Sequence, residues 1–118
     1  MTIQVDIAEK LTEGEKIGEI VQVENRTGEY VYTDYHIRPE GSKMILKVGF
    51  PTNISVDGNG NALSLHAKFL KKMGVQLFGQ IDEQSLLTRK VRFSVMLEQS
   101  KKDGNEYAKI VRETVRPV

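Results

Sequence analysis

The sequence contains no cysteine, and only three prolines and two histidines among its 118 residues. The absence of cysteine removes disulfide stabilisation, thiolate zinc sites and cysteine nucleophiles together. With His36 and His66 alone, a histidine-rich metal site is excluded as well. No apolar run approaches the roughly 18 residues that span a bilayer, and Met1 to Leu11 carries Asp6 and Glu9 where a signal peptide would be apolar. Neither secretion nor membrane insertion is expected. An excess of one charge sign is also missing: 17 basic against 16 acidic residues give a net charge of +1, so the whole molecule makes no electrostatic demand for a polyanion. The distribution is less even. Residues 1 to 25 hold two basic and six acidic groups, whereas residues 84 to 118 hold eight basic and four acidic.

What is present is enough apolar sequence, 39%, for one core in a chain of this length, and no repeat or linker divides it. Residues 1 to 118 are read as a single domain. Ile17 to Glu24 alternates as a half-buried strand with Val21 and Val23 on one face and Gln22 and Glu24 on the other. Asn25 to Glu29 supplies turn chemistry, with Gly28 able to take a positive φ. In Tyr30 to Arg38, Val31, Thr33, Tyr35 and Ile37 form the inner set, and Tyr30, Tyr32, Asp34, His36 and Arg38 the wetter one. Met44 to Phe50 reads as a third strand in which Gly49 marks a bulge or bend. Ala62, Leu63, His66, Phe69, Leu70 and Met73 recur at helical spacing, with Asn or Ser as the cap, Lys71 and Lys72 at the C-terminal end of the dipole, and Gly74 as the left-handed stop. Val75 to Leu86 reads as loop with a short turn. Lys90 to Gln99 and Glu106 to Val115 form a last hairpin around Asp103-Gly104, and Thr2 to Lys10 could add a short strand or helical turn.

The expected fold class is therefore all-β with one helix: a five-stranded antiparallel OB-like barrel with the helix between strands three and four. An open antiparallel sheet with one packed helix is the alternative. The runs Lys68-Phe69-Leu70 to Gly74, Leu87 to Val95 and Gly104-Asn105-Glu106-Tyr107-Ala108-Lys109-Ile110-Val111, with Thr27-Gly28-Glu29-Tyr30 as the turn into the second strand, resemble phage-type and archaeal viral single-stranded DNA-binding OB proteins. The likeness covers about 90 residues as a diffuse pattern, without a motif as specific as a phosphate loop. The chain ends Val115-Arg116-Pro117-Val118 rather than in the acidic tail many such proteins carry, which leaves a tail-mediated partner contact unsupported. A cytoplasmic location is expected, in the host cytoplasm if the source is viral.

Nucleic-acid-binding barrels of this type use the outer face of strands two and three and the loops joining strands one to two and four to five. The candidates at those positions are Arg26 in the first loop; Tyr30, Tyr32, His36 and Arg38 in strand two; and Lys43, Lys47 and Phe50 around strand three. Lys101, Lys102 and Tyr107 fall in the last hairpin, and Arg92 on strand four could extend the groove or pair, like Lys90, with Glu98 or Asp82. Rings interleaved with cations suit a single strand, since unpaired bases stack on aromatics and cations neutralise phosphates. Each tyrosine could equally be a strand residue on a half-buried surface, and the hairpin lysines could be solvating charges that protect an edge. Tyr35 and Phe93 are assigned to packing, and His66 on the apolar helix stripe to a structural role.

The run Asp57-Gly58-Asn59-Gly60-Asn61 has its glycines misplaced for a calcium loop and Lys68 at the twelfth position, so no metal is expected there. No nucleotide, zincin or nucleophile-elbow motif occurs, and no carboxylates can be argued into an acid and base pair. The expectation is a cofactor-free, non-enzymatic protein that coats exposed single strands with little sequence preference, DNA rather than RNA, and with a homodimer open. The alternative is a protein-interaction or structural domain that docks a partner or dimerises through an edge. A small phage-type accessory protein is a weaker third.

Overall fold

The computed structural model describes residues 2–3 and 10–118. The strand or turn expected over Thr2 to Lys10 falls largely on residues 4–9, outside the described residues. The elements are β1 (Gly14–Arg26), β2 (Tyr32–Pro39), β3 (Leu46–Pro51), α1 (Leu65–Lys72), a 3-10 turn at Glu83–Leu86, β4 (Lys90–Gln99), β5 (Glu106–Ile110), a second 3-10 turn at Arg112–Thr114, and β6 (Arg116–Pro117). Among the described residues no helix is long and apolar enough to cross a membrane.

All pairings are antiparallel, and the hydrogen-bonded order is β3-β2-β1-β4-β5, with β6 added to β4. This corrects the expected barrel. β3 and β5 are the two ends of the path and no ladder joins them, so the sheet is open and has six strands rather than five. The physical reason lies at the end of β5, expected to run to Val115. Its pairing stops at Ile110; Val111 N–H donates to the Ser94 carbonyl at 2.9 Å, and the Thr114 hydroxyl accepts from Ser94 N–H at 2.9 Å. The chain is thereby drawn along β4 and back onto it as β6, and it offers no further backbone to β3.

A bulge in β1 decides which residues face the core. Ile20 pairs with Ile37 and Gln22 with His36, so Val21 is the extra residue. The buried set is Gly18, Ile20 and Val23, and the alternation expected to put Val21 with Val23 changes phase at Val21. The β4 ladder stops just before it, at Glu19 opposite Lys90. Ile20 then bonds to the segment leading into β4, donating to the Arg89 carbonyl at 3.0 Å and accepting from Thr88 N–H at 2.8 Å. Thr88 holds φ +69° there, the one described residue other than glycine with positive φ. Gly28 does not take the positive φ expected of it, and Val31, expected inside, is exposed because β2 begins only at Tyr32.

α1 is capped by Ser64, whose hydroxyl accepts from Ala67 N–H at 3.3 Å and from Ser55 N–H at 3.0 Å. Its other end closes on Gly74 at φ +84°, with Val75 N–H reaching Leu70 carbonyl and Gly74 N–H reaching Lys71 carbonyl, each at 3.0 Å. The helix buries His66, Ala67, Phe69 and Leu70. Against them lie Tyr35 of β2 and Phe50 of β3: the Phe50 and Phe69 rings stack at 4.7 Å, and Tyr35 is 4.9 Å from Phe69. Ile20, Ile37, Val91 and Phe93 complete the sheet side of the core.

Candidate nucleic-acid interface

The outer face of β1, β2 and β3 is organised around a buried carboxylate. Asp34 is fully buried although it belongs to the wetter alternation. Arg26 clamps it with both Nε and Nη2, the latter at 3.2 Å from Oδ1, and Lys47 Nζ is 3.9 Å from Oδ2. Gly49 makes this possible: a Cβ built there would stand 2.6 Å from Asp34 Oδ1. The glycine expected to mark a bulge sits in regular β3 register, and its lack of a side chain serves a close approach.

The hydrogen bond that Arg26 donates to Asp34 raises the Arg26 pKa above its ordinary value. The guanidinium is thus a fixed, half-exposed cation. It lies 5.2 Å from the centroid of the Tyr32 ring, its register partner across β1 and β2. Tyr30, in the preceding loop, is 71% exposed. His36 faces Lys47 across β2 and β3, and its Nε2 lies 3.5 Å from Glu24 Oε1 without making a hydrogen bond.

The structure brings Arg26, Tyr32, His36 and Lys47 together and separates the remaining candidates. Phe50 is removed from the surface set: it is 3% exposed, held between Phe69 and His66, because the alternation of β3 turns it inward with Leu46 and Val48. Arg38 pairs with Glu19 at 3.7 Å. Arg92 pairs at 3.1 Å with Glu15, which also takes Arg116, and Lys90 with Glu40 at 3.7 Å, so neither uses Glu98 or Asp82 as expected. The register explains it: β1 runs beside β4 and places Glu15 and Ile17 opposite Ser94 and Arg92. Lys43 is exposed ahead of β3. Lys101 and Lys102 are exposed in the β4–β5 hairpin, whose ends are tied by Ser100 N–H to Asn105 carbonyl at 2.8 Å. Tyr107 donates to Glu98 at 2.8 Å, which lowers the Glu98 pKa and raises its own.

The assignments to packing hold for Tyr35, Phe93 and His66, all buried. The Tyr35 hydroxyl and His66 Nε2 are 2.7 Å apart, and His66 Nδ1 is 3.1 Å from the Thr52 carbonyl. The Asp57 carboxylate is taken up by its own loop, accepting from the Asn61 side-chain amide at 2.9 Å and from Asn61 and Asn59 N–H at 2.9 and 2.8 Å, which lowers its pKa.

Sequence reasoning missed a cleft of about 380 Å³ between the ends of β3 and β5, lined by Lys47, Gly49, Met96, Lys109, Arg112 and Glu113. Lys109 was legible as an outward strand residue, but its neighbourhood with Lys47 depends on how the two edges lie. Arg112 looked like one more strand position; the 3-10 turn aims it at β3, where Nη1 donates to the Gly49 carbonyl at 3.3 Å. No family model matches the chain, and no curated protein matches it.

Proposed function

We propose that this protein binds single-stranded DNA with little sequence preference, stacking bases on tyrosines and neutralising phosphates, without a cofactor or catalytic step. The observation that carries the reading is the Arg26–Tyr32 plate beside exposed Tyr30. Burying a carboxylate is costly unless its partners are well placed, and Asp34 is fully buried under a guanidinium that is itself half exposed. The sequestered anion serves to fix a cation and a ring at the surface, the pair of groups that an unstacked nucleotide uses. His36 and Lys47 continue that surface, and Lys101 and Lys102 supply cations at the second hairpin. Arg38 and Arg92, already paired with carboxylates, are secondary contributors.

Fluorescence anisotropy with a labelled oligonucleotide, titrated with salt, tests it. Binding with a negative slope of log affinity against log salt is expected; no binding at low salt removes the reading. Tyr30→Ala with Tyr32→Ala should weaken binding by about 1–3 kcal/mol per stacked base lost. A second reading, a domain that dimerises or docks a partner through a sheet edge, is favoured by the unpaired ends at β3 and β5. Sedimentation equilibrium separates the two: concentration-dependent mass without oligonucleotide binding would favour the second.

A further inference from the structure

We infer that the sugar-phosphate backbone of the bound strand lies in the cleft between β3 and β5, with Lys47, Lys109 and Arg112 as its phosphate contacts; this rests on the single-strand reading. The cleft is lined by three cations and one carboxylate, Glu113. It opens onto the Arg26–Tyr32 plate: a Cβ at Gly49, which lines the cleft, would lie 3.7 Å from Arg26 Nη2 and 3.7 Å from Tyr32 Cδ1. Lys47 belongs to both surfaces, lining the cleft while it faces His36 and Asp34. A chain with phosphates in the cleft therefore presents its bases toward the rings.

The cations are positioned without being consumed. Lys47 is 3.9 Å from Asp34 and Lys109 is 3.5 Å from Glu98, and both lysine side chains are about half exposed. The Lys109–Glu98 pair is weak and screened by solvent, so a phosphate displaces that carboxylate at little cost, whereas buried Asp34 keeps Arg26 as its close partner when Lys47 turns to a phosphate. Arg112 is held more firmly, over the Phe50 ring at 5.8 Å and on the Gly49 carbonyl. Its Nε is buried with no hydrogen-bond acceptor among the described residues. A guanidinium has five N–H donors in a planar fork that matches phosphate oxygens, and Gly49 accounts for one. Met96, exposed opposite Lys109 in the β4–β5 register, gives the cleft an apolar wall for the sugar.

Anisotropy with labelled oligothymidylate of about 25 nucleotides, long enough to cover one such domain, distinguishes the cleft from the plate. On a single strand each neutralised phosphate contributes about 0.7 to the salt slope. Lys109→Gln and Arg112→Gln should each lower the slope by about that amount, and Arg112→Lys should retain it. Tyr30→Ala with Tyr32→Ala should lose affinity at unchanged slope. A wild-type slope in Lys109→Gln and Arg112→Gln overturns the cleft path and leaves the single-strand reading standing; absence of wild-type binding overturns both. If Arg112→Gln proves poorly folded, Lys109→Gln, at an exposed position, decides alone.

Discussion

Gly49 and Asp34 are a matched pair, and the match is tight enough to be tested by one carbon atom. Gly49→Ala would place its Cβ 2.6 Å from Asp34 Oδ1, and the carboxylate cannot retreat because Arg26 holds both of its oxygens. Overpacking of this kind costs about 1–3 kcal/mol. The variant should lose that much stability in urea denaturation, while Gly28→Ala, with open space around it and no positive φ, should stay within about 0.5 kcal/mol of the parent. Equal stabilities in the two variants would mean that the Asp34 cluster yields freely. Phe50 sits on the other side of β3, and Phe50→Ala should cost about 3–5 kcal/mol as the loss of a packed core ring. A stable Phe50→Ala would return that ring to the surface.

At the level of elements, strand and helix identity follow from local pattern, and the departures come from contacts between elements. Ser64 caps α1, and Ser64→Ala leaves Ala67 N–H without its acceptor; a loss of about 1 kcal/mol is expected. Thr88 is the reverse case. It is β-branched at φ +69° because its N–H must reach the carbonyl of Ile20 at the β1 bulge, and glycine adopts that conformation without strain. Thr88→Gly should therefore raise the denaturation midpoint, by about 1 kcal/mol of stability; a decrease would show that its side chain contributes more than the backbone strain costs. β4 was legible to the residue because Val91, Phe93 and Val95 alternate without interruption, and Gly74 stops α1 as its position indicated. The bulge at Val21 was not legible, since both phases of β1 carry an apolar residue there and only the register with β2 chooses between them. Phe50 was placed on the surface for a related reason: a bulge expected at Gly49 would turn it outward, and only the register with β2 shows that the alternation of Leu46 and Val48 runs unbroken to Phe50. The open sheet likewise depends on Ser94, whose backbone captures Val111 and Thr114 and ends β5 early.

Across the whole molecule, stability should fall on mild acidification because one buried imidazole resists protonation. His66 is 2% exposed, stacked on Phe50 at 5.7 Å, beside the Tyr35 hydroxyl and the Thr52 carbonyl. Desolvation lowers its pKa below the ordinary 6.5, against smaller opposing contributions from the Thr52 hydrogen bond and Glu83. The folded state therefore takes up its proton at lower pH than the unfolded state. Above about pH 6.5 neither form of His66 is protonated and its contribution to stability is complete. As pH falls below that, the unfolded chain binds a proton that the folded protein does not, and stability declines by at most about 1.4 kcal/mol per pH unit. The decline levels off once folded His66 protonates too. The lowered carboxylates Asp57, Glu98 and Asp103 act in a separate window, because their stabilisation is present above their ordinary pKa values of 3.8, 4.5 and 3.8 and is lost only as pH falls below them. Urea denaturation at intervals between pH 7.5 and 4.5 reads the imidazole alone if His66→Gln is run in parallel. The variant will be less stable throughout, so the informative quantity is the slope: it should be flatter than the parent's below pH 6.5, and parallel slopes would remove His66 as the source of the acid sensitivity.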